Sequence, residues 1–426
     1  MMRTNTIGEL RKEMADKEVT LAGWVHEVRE LGKLTFLLLR DNTGIVQIVS
    51  KDPSLMKKMS LPKESVVQIV GTLRLNAQAK IGFEIVPKEI QNLNPLSTGI
   101  PFEVTGKVPV DLDVRLNYRY IDLRRSEPTA IFNIQSTILS SFRETLVKLA
   151  FKEIRTPCTV AEATEGGADL FPVQYFETKA YLSQSPQLYK QLAIIGGMDR
   201  VFAITPVFRA EKSNTTYHLT ESTQMDIEMG FANGDDAVAV ISTVITNIVR
   251  DVLGKNSKDL DVLGVTDLKV PTTKIISYAE LVDALNSSGA GIKPGEDITR
   301  EHEEMAYKLY GDAIVIRGYP TSVRAFYSMP QKDNPELTDS YDFIYKGLEI
   351  SSGAQRIHDP EMLIEAMKKR GMNPNNFEFY INAFRCGAPP HAGWSIGLER
   401  LTMKIVGAKN IREASLFPRD RKRISP

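Results

Sequence analysis

Two carboxylates and a hydroxyl lie close together near the C-terminal end of the chain, in the stretch SYDFIYKGLEISSGAQRIH. Asp342 and Glu349 supply hard oxygen ligands and Ser352 supplies a hydroxyl, a set that suits Mg²⁺ bridging the phosphates of a substrate. The alternative is an edge strand with a solvated face. Edge strands are usually protected by Lys or Glu, whereas Ser-Ser-Gly-Ala at 351–354 lets another molecule approach the backbone. The stretch therefore predicts a site for a metal and phosphates.

The same stretch predicts an irregularity in its own backbone. In a regular strand, residues three or seven apart point to opposite faces, so Glu349 could not share a site with Ser352 or Arg356. We therefore predict a β-bulge or a strand break around Ser351 to Gly353, which the sequence Ser-Ser-Gly permits.

Charged residues also recur on two predicted strands joined by a hydrophilic loop, in TPVFRAEKSNTTYHLTESTQMDIEM. Arg209 and Glu211 face the same side of the first strand because they are two residues apart, and the second strand carries Asp226 and Glu228. Taken alone, this pattern favours a surface hairpin with cross-strand ion pairs.

A third candidate is Arg400, in PPHAGWSIGLERLTMKIVG. Leu398, Leu401 and Ile405 recur at helical spacing and Gly407 ends the helix, so Arg400 lies in the first turn. An arginine there opposes the positive end of the helix dipole, which indicates that it is held for a ligand rather than for helix stability.

Five short β-rich runs between Glu18 and Pro87 predict a small barrel. A five-stranded OB-fold fits the length and spacing, and an SH3-like barrel fits nearly as well. From Ala130 a long amphipathic helix is followed by mixed strands and helices, which favours an antiparallel α+β domain. We therefore predict a barrel at 1–104, a hinge at 105–129 and a catalytic domain at 130–426.

Composition limits the class of protein. The 426 residues contain 53 basic and 53 acidic side chains and two cysteines, which predicts a multidomain cytosolic protein without a disulfide framework. The N-terminus lacks the apolar core of a signal peptide, and the apolar stretch DDAVAVISTVITNIVRDVLG has the periodicity of a core helix. We expect no membrane association.

Seven motifs in order carry a resemblance that spans essentially the whole chain. The motifs EIRTP, FRAE and GLER resemble the three signatures of class II aminoacyl-tRNA synthetases. The stretches EATEGGADLF, QSPQLYKQ, GLEISSGAQRIH and FPRDRKR resemble aspartyl-tRNA synthetases of the archaeal and eukaryotic type. The resemblance implies an N-terminal OB-fold barrel, a class II catalytic domain with an antiparallel sheet, and a homodimer.

The resemblance also implies roles for individual residues. ATP would be bound by Arg209, Glu211, His218, Glu349 and Arg400, with Arg209 and Arg400 acting in catalysis. Aspartate would be bound by Glu165, Gln187, Lys190, Arg209, Ser352 and Arg356, and Mg²⁺ by Asp342, Glu349 and Ser352. The anticodon would be bound by His26, Arg29, Phe36, Gln47 and Lys80.

The implied reaction is ligation of L-aspartate to tRNA(Asp) through an aspartyl-adenylate. His26 indicates that tRNA(Asn) is charged as well, whereas Lys80 resembles relatives that are strict for tRNA(Asp). Alternatives are an asparaginyl-tRNA synthetase, which would lack Lys190, a paralogue that acts without tRNA, and a catalytically silent RNA-binding relative.

Two departures from the family concern the nucleotide. Ser222 stands where many relatives have a phenylalanine that stacks on adenine, so the stacking partner is not defined. Trp394 stands in a segment that is usually rich in glycine, so we expect its ring to lie beside the nucleotide. Residues 255–330 carry no recognisable motif and predict a family-specific elaboration.

Overall fold

The structure, a computed structural model, describes residues 2–161, 170–212 and 214–426. The chain divides into two compact units, Met1–Val110 and Asp111–Pro426, and the division falls within the segment predicted as a hinge, 105–129. Each unit has its own hydrophobic core, as the length of the chain requires.

The first unit is a closed barrel of five strands in the order β1-β2-β3-β5-β4. Its elements are β1 (Glu18–Leu31), β2 (Leu34–Asp41), β3 (Gly44–Ser50), α1 (Pro53–Met59), β4 (Val66–Leu75) and β5 (Phe83–Asn94). Alternate residues of each strand fill the interior, such as the fully buried Leu37 and Leu39 on β2. Intervening residues such as Phe36 lie on the outer surface. The five predicted β-rich runs therefore form a barrel, as expected.

The second unit is built on an eight-stranded sheet with the order β12-β13-β14-β15-β16-β11-β10-β6, beside a small sheet β7-β9-β8. The strands are β6 (Lys152–Glu153), β7 (Thr159–Val160), β8 (Pro172–Tyr175), β9 (Thr178–Leu182), β10 (Arg200–Phe208), β11 (Glu221–Gly230), β12 (Lys274–Ser277), β13 (Ala313–Arg317), β14 (Ser340–Tyr345), β15 (Leu348–Gln355) and β16 (His391–Gly397). Pairing in the large sheet is antiparallel except at its two edges, β12 with β13 and β6 with β10. The predicted α+β class with an antiparallel sheet is confirmed.

Helices of the second unit accompany this sheet. They are α2 (Leu112–Asn117), α3 (Arg119–Asp122), α4 (Ser126–Lys148), α5 (Gln187–Ile195), α6 (Gly234–Lys255), α7 (Ser257–Leu263), α8 (Tyr278–Ser287), α9 (Arg300–Tyr310), α10 (Pro360–Lys369), α11 (Glu378–Arg385) and α12 (Leu398–Val406). The segment without a motif, 255–330, contributes α7 to α9 and the strands β12 and β13, so it extends the sheet at one edge.

Helix α6 is long and apolar enough to cross a membrane by length and composition alone. The structure instead buries one side of it in the core of the second unit, where Ile241, Ile245 and Ile248 are fully buried. It is therefore a core helix, as its periodicity predicted.

Pairing across the central strands sorts the side chains into two faces. Ser352 pairs with Ser395 on β16 and with Asp342 on β14, so these three residues share one face. Trp394 belongs to the opposite face, where its Nε1 donates to the carbonyl of Ala237 on α6 at 3.0 Å. One face thus packs on helices, and the other is available for a site.

Gly353 lies at the middle of the helix-packed face and has no room for a side chain. A Cβ there would lie 2.4 Å from Cε2 of Tyr341 and 2.7 Å from the carbonyl oxygen of Gly393. The ring of Tyr341 is fully buried and cannot move aside.

We therefore expect Gly353→Ala to lower the free energy of unfolding by about 1–3 kcal/mol, measured by chemical denaturation. Gly254→Ala on α6 is the matched control, because nothing lies within 4 Å of its Cβ position. That variant should be neutral or more stable by up to about 1 kcal/mol. Equal stability of both variants would contradict the packing described for Gly353.

Candidate active site

A cavity of about 330 Å³ opens on the free face of the sheet in the second unit. Its walls include eight of the residues predicted from the motifs, namely Gln187, Arg209, Glu211, His218, Glu349, Ser352, Arg356 and Arg400. Lys190 and Asp342 are buried, each next to a residue of the cavity wall. Lys190 contacts Asp226, and Asp342 pairs with Ser352 on the neighbouring strand. Glu165 lies outside the described residues. The sequence therefore predicted residues that the fold brings together from five different segments.

A bulge on β15 places the metal-type residues on one face. Glu349 pairs with Ile344 and Ser351 pairs with Phe343, so Ile350 is the extra residue. Because Asp342 and Ile344 point the same way on β14, their partners Ser352 and Glu349 also point the same way. The predicted bulge exists, but it lies at Ile350, one residue before the predicted segment.

One end of the cavity is formed by a buried network of charges. The Nζ of Lys190 lies 2.6 Å from Oδ1 of Asp226 and 3.7 Å from Oε2 of Glu228. Arg356 donates from Nε to Oε1 of Glu228 at 2.9 Å and from Nη2 to Oε1 of Gln187 at 3.1 Å. Lys190 is fully buried and does not line the cavity, whereas Arg356, Gln187 and Asp226 do. Two cations and two carboxylates therefore balance each other at this end.

The network determines the charge state of Glu228. Burial alone would raise the pKa of this carboxyl, but Arg356 and Lys190 outweigh burial and lower the pKa below its ordinary value. Glu228 is therefore ionised and fixes the orientation of the Arg356 guanidinium.

The other end of the cavity carries the hairpin and the start of α12. The backbone N–H of Arg209 donates to the carbonyl of Thr220 at 2.9 Å, which closes the hairpin beyond β10 and β11. The Nη1 of Arg400 donates to the carbonyl of Glu349 at 3.0 Å and lies 3.6 Å from its Oε2. Arg209 and Arg400 thus lie on the wall of one cavity, as predicted.

The neighbouring arginines also act on His218. Burial and the charge of Arg400 lower the pKa of His218, and the Nδ1 of His218 lies 2.6 Å from the hydroxyl of Thr215. The imidazole is therefore neutral near pH 7 and presents a hydrogen-bonding group rather than a charge.

The residues predicted for Mg²⁺ fit a hard divalent cation. Asp342 has a buried carboxylate oxygen, Oδ1, without a hydrogen-bond partner, and Glu349 and Ser352 share its face of the sheet. Burial and the negative charge of Asp342 raise the pKa of Glu349 to about 7, only partly offset by Arg400. Crowded carboxylates of this kind are stabilised when a cation binds. Within the described ranges there is no group of three His, Cys, Asp or Glu suited to a metal, so the serine hydroxyl is needed to complete the set.

Glu399, beside Arg400 on α12, was not assigned a role from the sequence. Both of its carboxylate oxygens accept the backbone N–H of Thr223, at 3.1 and 3.0 Å. Burial nevertheless raises its pKa from 4.5 to about 7. Since the folded state holds this proton more tightly than the unfolded state, the stability from Glu399 is present below pH 4.5 and is lost as pH rises to about 7.

We expect Glu399→Gln to remove this pH dependence, because Gln keeps an acceptor for Thr223 and does not titrate. In urea denaturation at several pH values, the variant should gain up to about 3 kcal/mol relative to the parent between pH 5 and 8. Parallel stability curves for the two proteins would contradict the raised pKa.

The two departures from the family have different outcomes. The expectation that Trp394 lies beside a nucleotide is wrong, because its ring is fully buried on the opposite face of the sheet. Ser222 does line the cavity, together with Tyr217 from the hairpin loop and Ile411. Sequence analysis did not single out Tyr217.

Arg324 is the wall residue that sequence analysis missed most clearly. It lies in the segment without a motif, yet its Nη2 is 2.7 Å from Oδ2 of Asp342 and its Nη1 donates to the hydroxyl of Ser352 at 3.2 Å. Its partners lie on β14 and β15, and no local pattern in the segment TSVRAFY predicts these contacts.

The barrel, described by itself, presents the predicted anticodon residues on its outer surface. Arg29 pairs with Phe36, and Leu38 pairs with Gln47, which places these side chains on one outer face. Lys80 is exposed in the loop between β4 and β5.

His26 is the extra residue of a bulge in β1. Its Nδ1 lies 3.0 Å from Nη1 of Arg40, whose Nη2 donates to Glu64 at 2.8 Å. Burial and the charge of Arg40 lower the pKa of His26. Because a guanidinium can only donate, Nδ1 accepts and the ring proton is at Nε2.

Comparisons with known proteins agree with this geometry. Residues 111–421 match the family of tRNA synthetases class II (D, K and N), and residues 19–93 match the OB-fold nucleic acid binding domain. Aspartate--tRNA(Asp/Asn) ligase of Methanocaldococcus jannaschii is 44% identical over 431 residues, which cover 100% of this chain and 98% of that protein. Aspartate--tRNA(Asp) ligase of Thermoplasma volcanium is 42% identical over 424 residues, 99% of each chain. The structure of asparaginyl-tRNA synthetase from Pyrococcus horikoshii complexed with asparaginyl-adenylate has a TM-score of 0.93 and 32% identity, covering 100% of both chains.

These matches confirm the resemblance drawn from the motifs, and they decide for the OB-fold against an SH3-like barrel. The alternative of a surface hairpin with cross-strand ion pairs is wrong, because Asp226 and Glu228 are buried and pair with Lys190 and Arg356. The chain belongs to the class II tRNA synthetases for aspartate, lysine and asparagine, and within them to the aspartate–tRNA ligases.

Proposed function

We propose that this protein ligates L-aspartate to both tRNA(Asp) and tRNA(Asn), through an aspartyl-adenylate formed with ATP and Mg²⁺. The observation that carries the proposal is one cavity with a buried charge network that contains Lys190 and Arg356 at one end and two arginines, Arg209 and Arg400, at the other. An amino acid carboxylate and a nucleotide phosphate would then meet near its centre.

The buried network supports aspartate as the amino acid. Arg356 lines the cavity, and the bonds to Glu228 and Gln187 use its Nε and Nη2, so the guanidinium is oriented before any ligand arrives. Lys190 adds positive charge from behind Asp226. A carboxylate side chain is stabilised by these cations, whereas the neutral amide of asparagine is not.

The chemistry needs positioning rather than a protein nucleophile. The α-carboxylate of aspartate attacks the α-phosphorus of ATP, the bond to the bridging oxygen breaks, and pyrophosphate leaves. Arg209 would stabilise the negative charge that grows on the α-phosphate oxygens, and Arg400 would hold the terminal phosphates. The terminal ribose hydroxyl of the tRNA then attacks the activated carbonyl, and AMP leaves.

Asp342, Glu349 and Ser352 would hold Mg²⁺ against the phosphates. When bound, the metal ion supplies neutralisation of the phosphate charge. Without a cation the pKa of Glu349 is about 7, and binding of the metal ion would keep this carboxylate ionised.

Exchange of labelled pyrophosphate into ATP tests the amino acid. We expect aspartate to support exchange and asparagine to support none. Exchange with asparagine alone would replace the proposal with an asparaginyl-tRNA synthetase, a function favoured by the structural similarity to the Pyrococcus enzyme. Absence of exchange with both amino acids would indicate a catalytically silent relative.

The range of tRNAs is tested by charging the two transcripts in parallel. We expect rates for tRNA(Asp) and tRNA(Asn) within about tenfold of each other, a difference below about 1.4 kcal/mol. His26→Trp should reduce charging of tRNA(Asn) more than charging of tRNA(Asp), because relatives that are strict for tRNA(Asp) tend to carry tryptophan at this position. The indole also cannot accept the hydrogen bond that Arg40 donates to His26. A wide preference of the parent protein for tRNA(Asp) would overturn this part of the proposal. Relatives of both types have similar identity to this chain, so identity alone does not decide.

We also propose that the enzyme is a cytoplasmic homodimer. The first signature motif, which forms the dimer interface in the family, begins at Glu153 in the edge strand β6, and both residues of β6 are exposed in the single chain. Sedimentation equilibrium should give twice the mass of 47.6 kDa.

A further inference from the structure

Arg324 occupies a position at the proposed metal site that none of the motifs predicted. It follows a short 3₁₀ turn, Thr321–Val323, and it lines the cavity while its side chain is only 12% exposed. Its guanidinium reaches two of the three proposed metal ligands, Asp342 at 2.7 Å and Ser352 at 3.2 Å. A cation of the protein therefore already contacts the oxygens that Mg²⁺ would use.

The surroundings hold the guanidinium in place. Its central carbon lies 3.6 Å from the centroid of the Tyr319 ring, and that ring is fully buried. Stacking of a guanidinium on an aromatic face is attractive, and more so when the pair is shielded from water. The side chain is therefore fixed over Asp342 by packing as well as by charge.

The second carboxylate of the site also has an arginine partner. Glu349 is contacted by Arg400, at 3.6 Å from its side chain and 3.0 Å from its carbonyl oxygen. Each proposed carboxylate ligand is thus paired with one arginine. A divalent cation entering alone would face two arginines and would have to displace or share their partners.

We propose that Arg324 is the resident counter-ion of Asp342 and a hydrogen-bond donor to Ser352, so that the free enzyme binds a divalent cation weakly and the metal enters together with ATP. Once the metal binds the carboxylates of Asp342 and Glu349, the phosphates of ATP become the negatively charged partners of Arg324 and Arg400. Arg324 acts as a positioning residue in this scheme, because it orients Asp342 and Ser352 on one face before the metal arrives. The inference rests on the proposed metal site.

Binding of Mn²⁺ to the protein without ATP tests this inference. The electron paramagnetic resonance signal of free hydrated Mn²⁺ would be followed in a titration of the parent protein, Arg324→Met and the double variant Arg324→Met/Asp342→Asn. We expect Arg324→Met to bind one Mn²⁺ about tenfold or more tightly than the parent. The double variant should lose that gain, because the carboxylate charge released by Arg324→Met is then removed.

Arg324→Lys is the matched control. Lysine keeps the positive charge but is a point charge that cannot bridge Asp342 and Ser352 as a fork, so its gain in Mn²⁺ affinity should be smaller than that of methionine. Thermal denaturation checks that each variant folds, and Arg324→Gln takes the place of Arg324→Met if the latter does not. Tight binding of Mn²⁺ by the free parent protein overturns the inference, and so does equal affinity in the parent and in a folded variant without the charge.

A separate titration distinguishes this inference from the proposed metal site itself. With a non-hydrolysable ATP analogue present, the parent protein should bind Mn²⁺, and Glu349→Gln should weaken that binding. If Glu349→Gln has no effect there, the metal site proposed for the reaction is wrong, whatever Arg324 does. If only the titrations without ATP fail, the metal site stands and the role of Arg324 is wrong.

Discussion

Replacing Lys190 with methionine should lower aspartate-dependent pyrophosphate exchange by about 10²- to 10³-fold, the effect of truncating one partner of a buried charge pair. Lys190 is fully buried, and its Nζ is 2.6 Å from Asp226. Methionine has a similar length and no charge. The variant would therefore leave Asp226, itself only 1% exposed, without its cation.

The same substitution should also destabilise the second unit. Breaking a buried ion pair by removing one partner costs about 3–5 kcal/mol, since the remaining buried charge loses its compensating cation. Urea denaturation of the parent protein and Lys190→Met would measure this loss.

A double variant separates folding from function. Lys190→Met/Asp226→Asn removes both charges, so we expect most of the lost stability to return. Exchange with aspartate should remain low, because the positive charge that Lys190 adds near the amino acid is still absent. Recovery of exchange in the double variant would show that Lys190 acts only through folding, and an unchanged stability of Lys190→Met would contradict the buried pair.

Much of the fold could be predicted because it depends on local patterns. The alternation of apolar residues in LTFLLLRD defined a strand whose buried positions, Leu37 and Leu39, are those that the pattern requires. The apolar periodicity of α6 and the glycine at 407, which has a φ of 70°, defined two helices in the same way. Each of these signals lies within a few residues of the structure that it predicts.

The bulge in β15 shows where such prediction becomes approximate. The requirement that Glu349 and Ser352 share a face demands one extra residue between them, and the structure has it at Ile350. A single insertion anywhere between the two residues would satisfy the same requirement. The polar side chains therefore predicted that a bulge exists, while its position depends on the pairing with β14.

Contacts between distant segments were the part that sequence reasoning could not supply. Asp226 and Glu228 were recognised as acidic residues of a strand, but their partner Lys190 lies on α5 and Arg356 lies beyond β15. Arg324 lies in a loop without periodicity, and its role depends on the position of Asp342 across the sheet. Trp394 was misplaced for the same reason, because the face that it occupies is decided by strand pairing.

Substitution of Arg209 by alanine should reduce the rate of adenylate formation by about 10³-fold while leaving the protein folded. Arg209 follows β10, its backbone N–H is fixed by the carbonyl of Thr220 at 2.9 Å, and its side chain lines the cavity. An arginine that stabilises a transferring phosphoryl group contributes about 10³-fold or more to kcat. Because this charge develops in the transition state, we expect a larger change in kcat than in the KM for ATP.

Two further variants make this prediction specific. Arg209→Lys keeps the charge but loses the planar fork, so it should retain more activity than Arg209→Ala and less than the parent protein. Arg385→Ala, on α11 away from the cavity walls, removes an arginine that is 44% exposed and should change neither constant. Steady-state pyrophosphate exchange gives both constants, and denaturation midpoints confirm folding. If Arg209→Ala raised only the KM for ATP, Arg209 would bind the nucleotide equally in the ground state and the transition state, and catalysis would rest on Arg400 and the metal ligands.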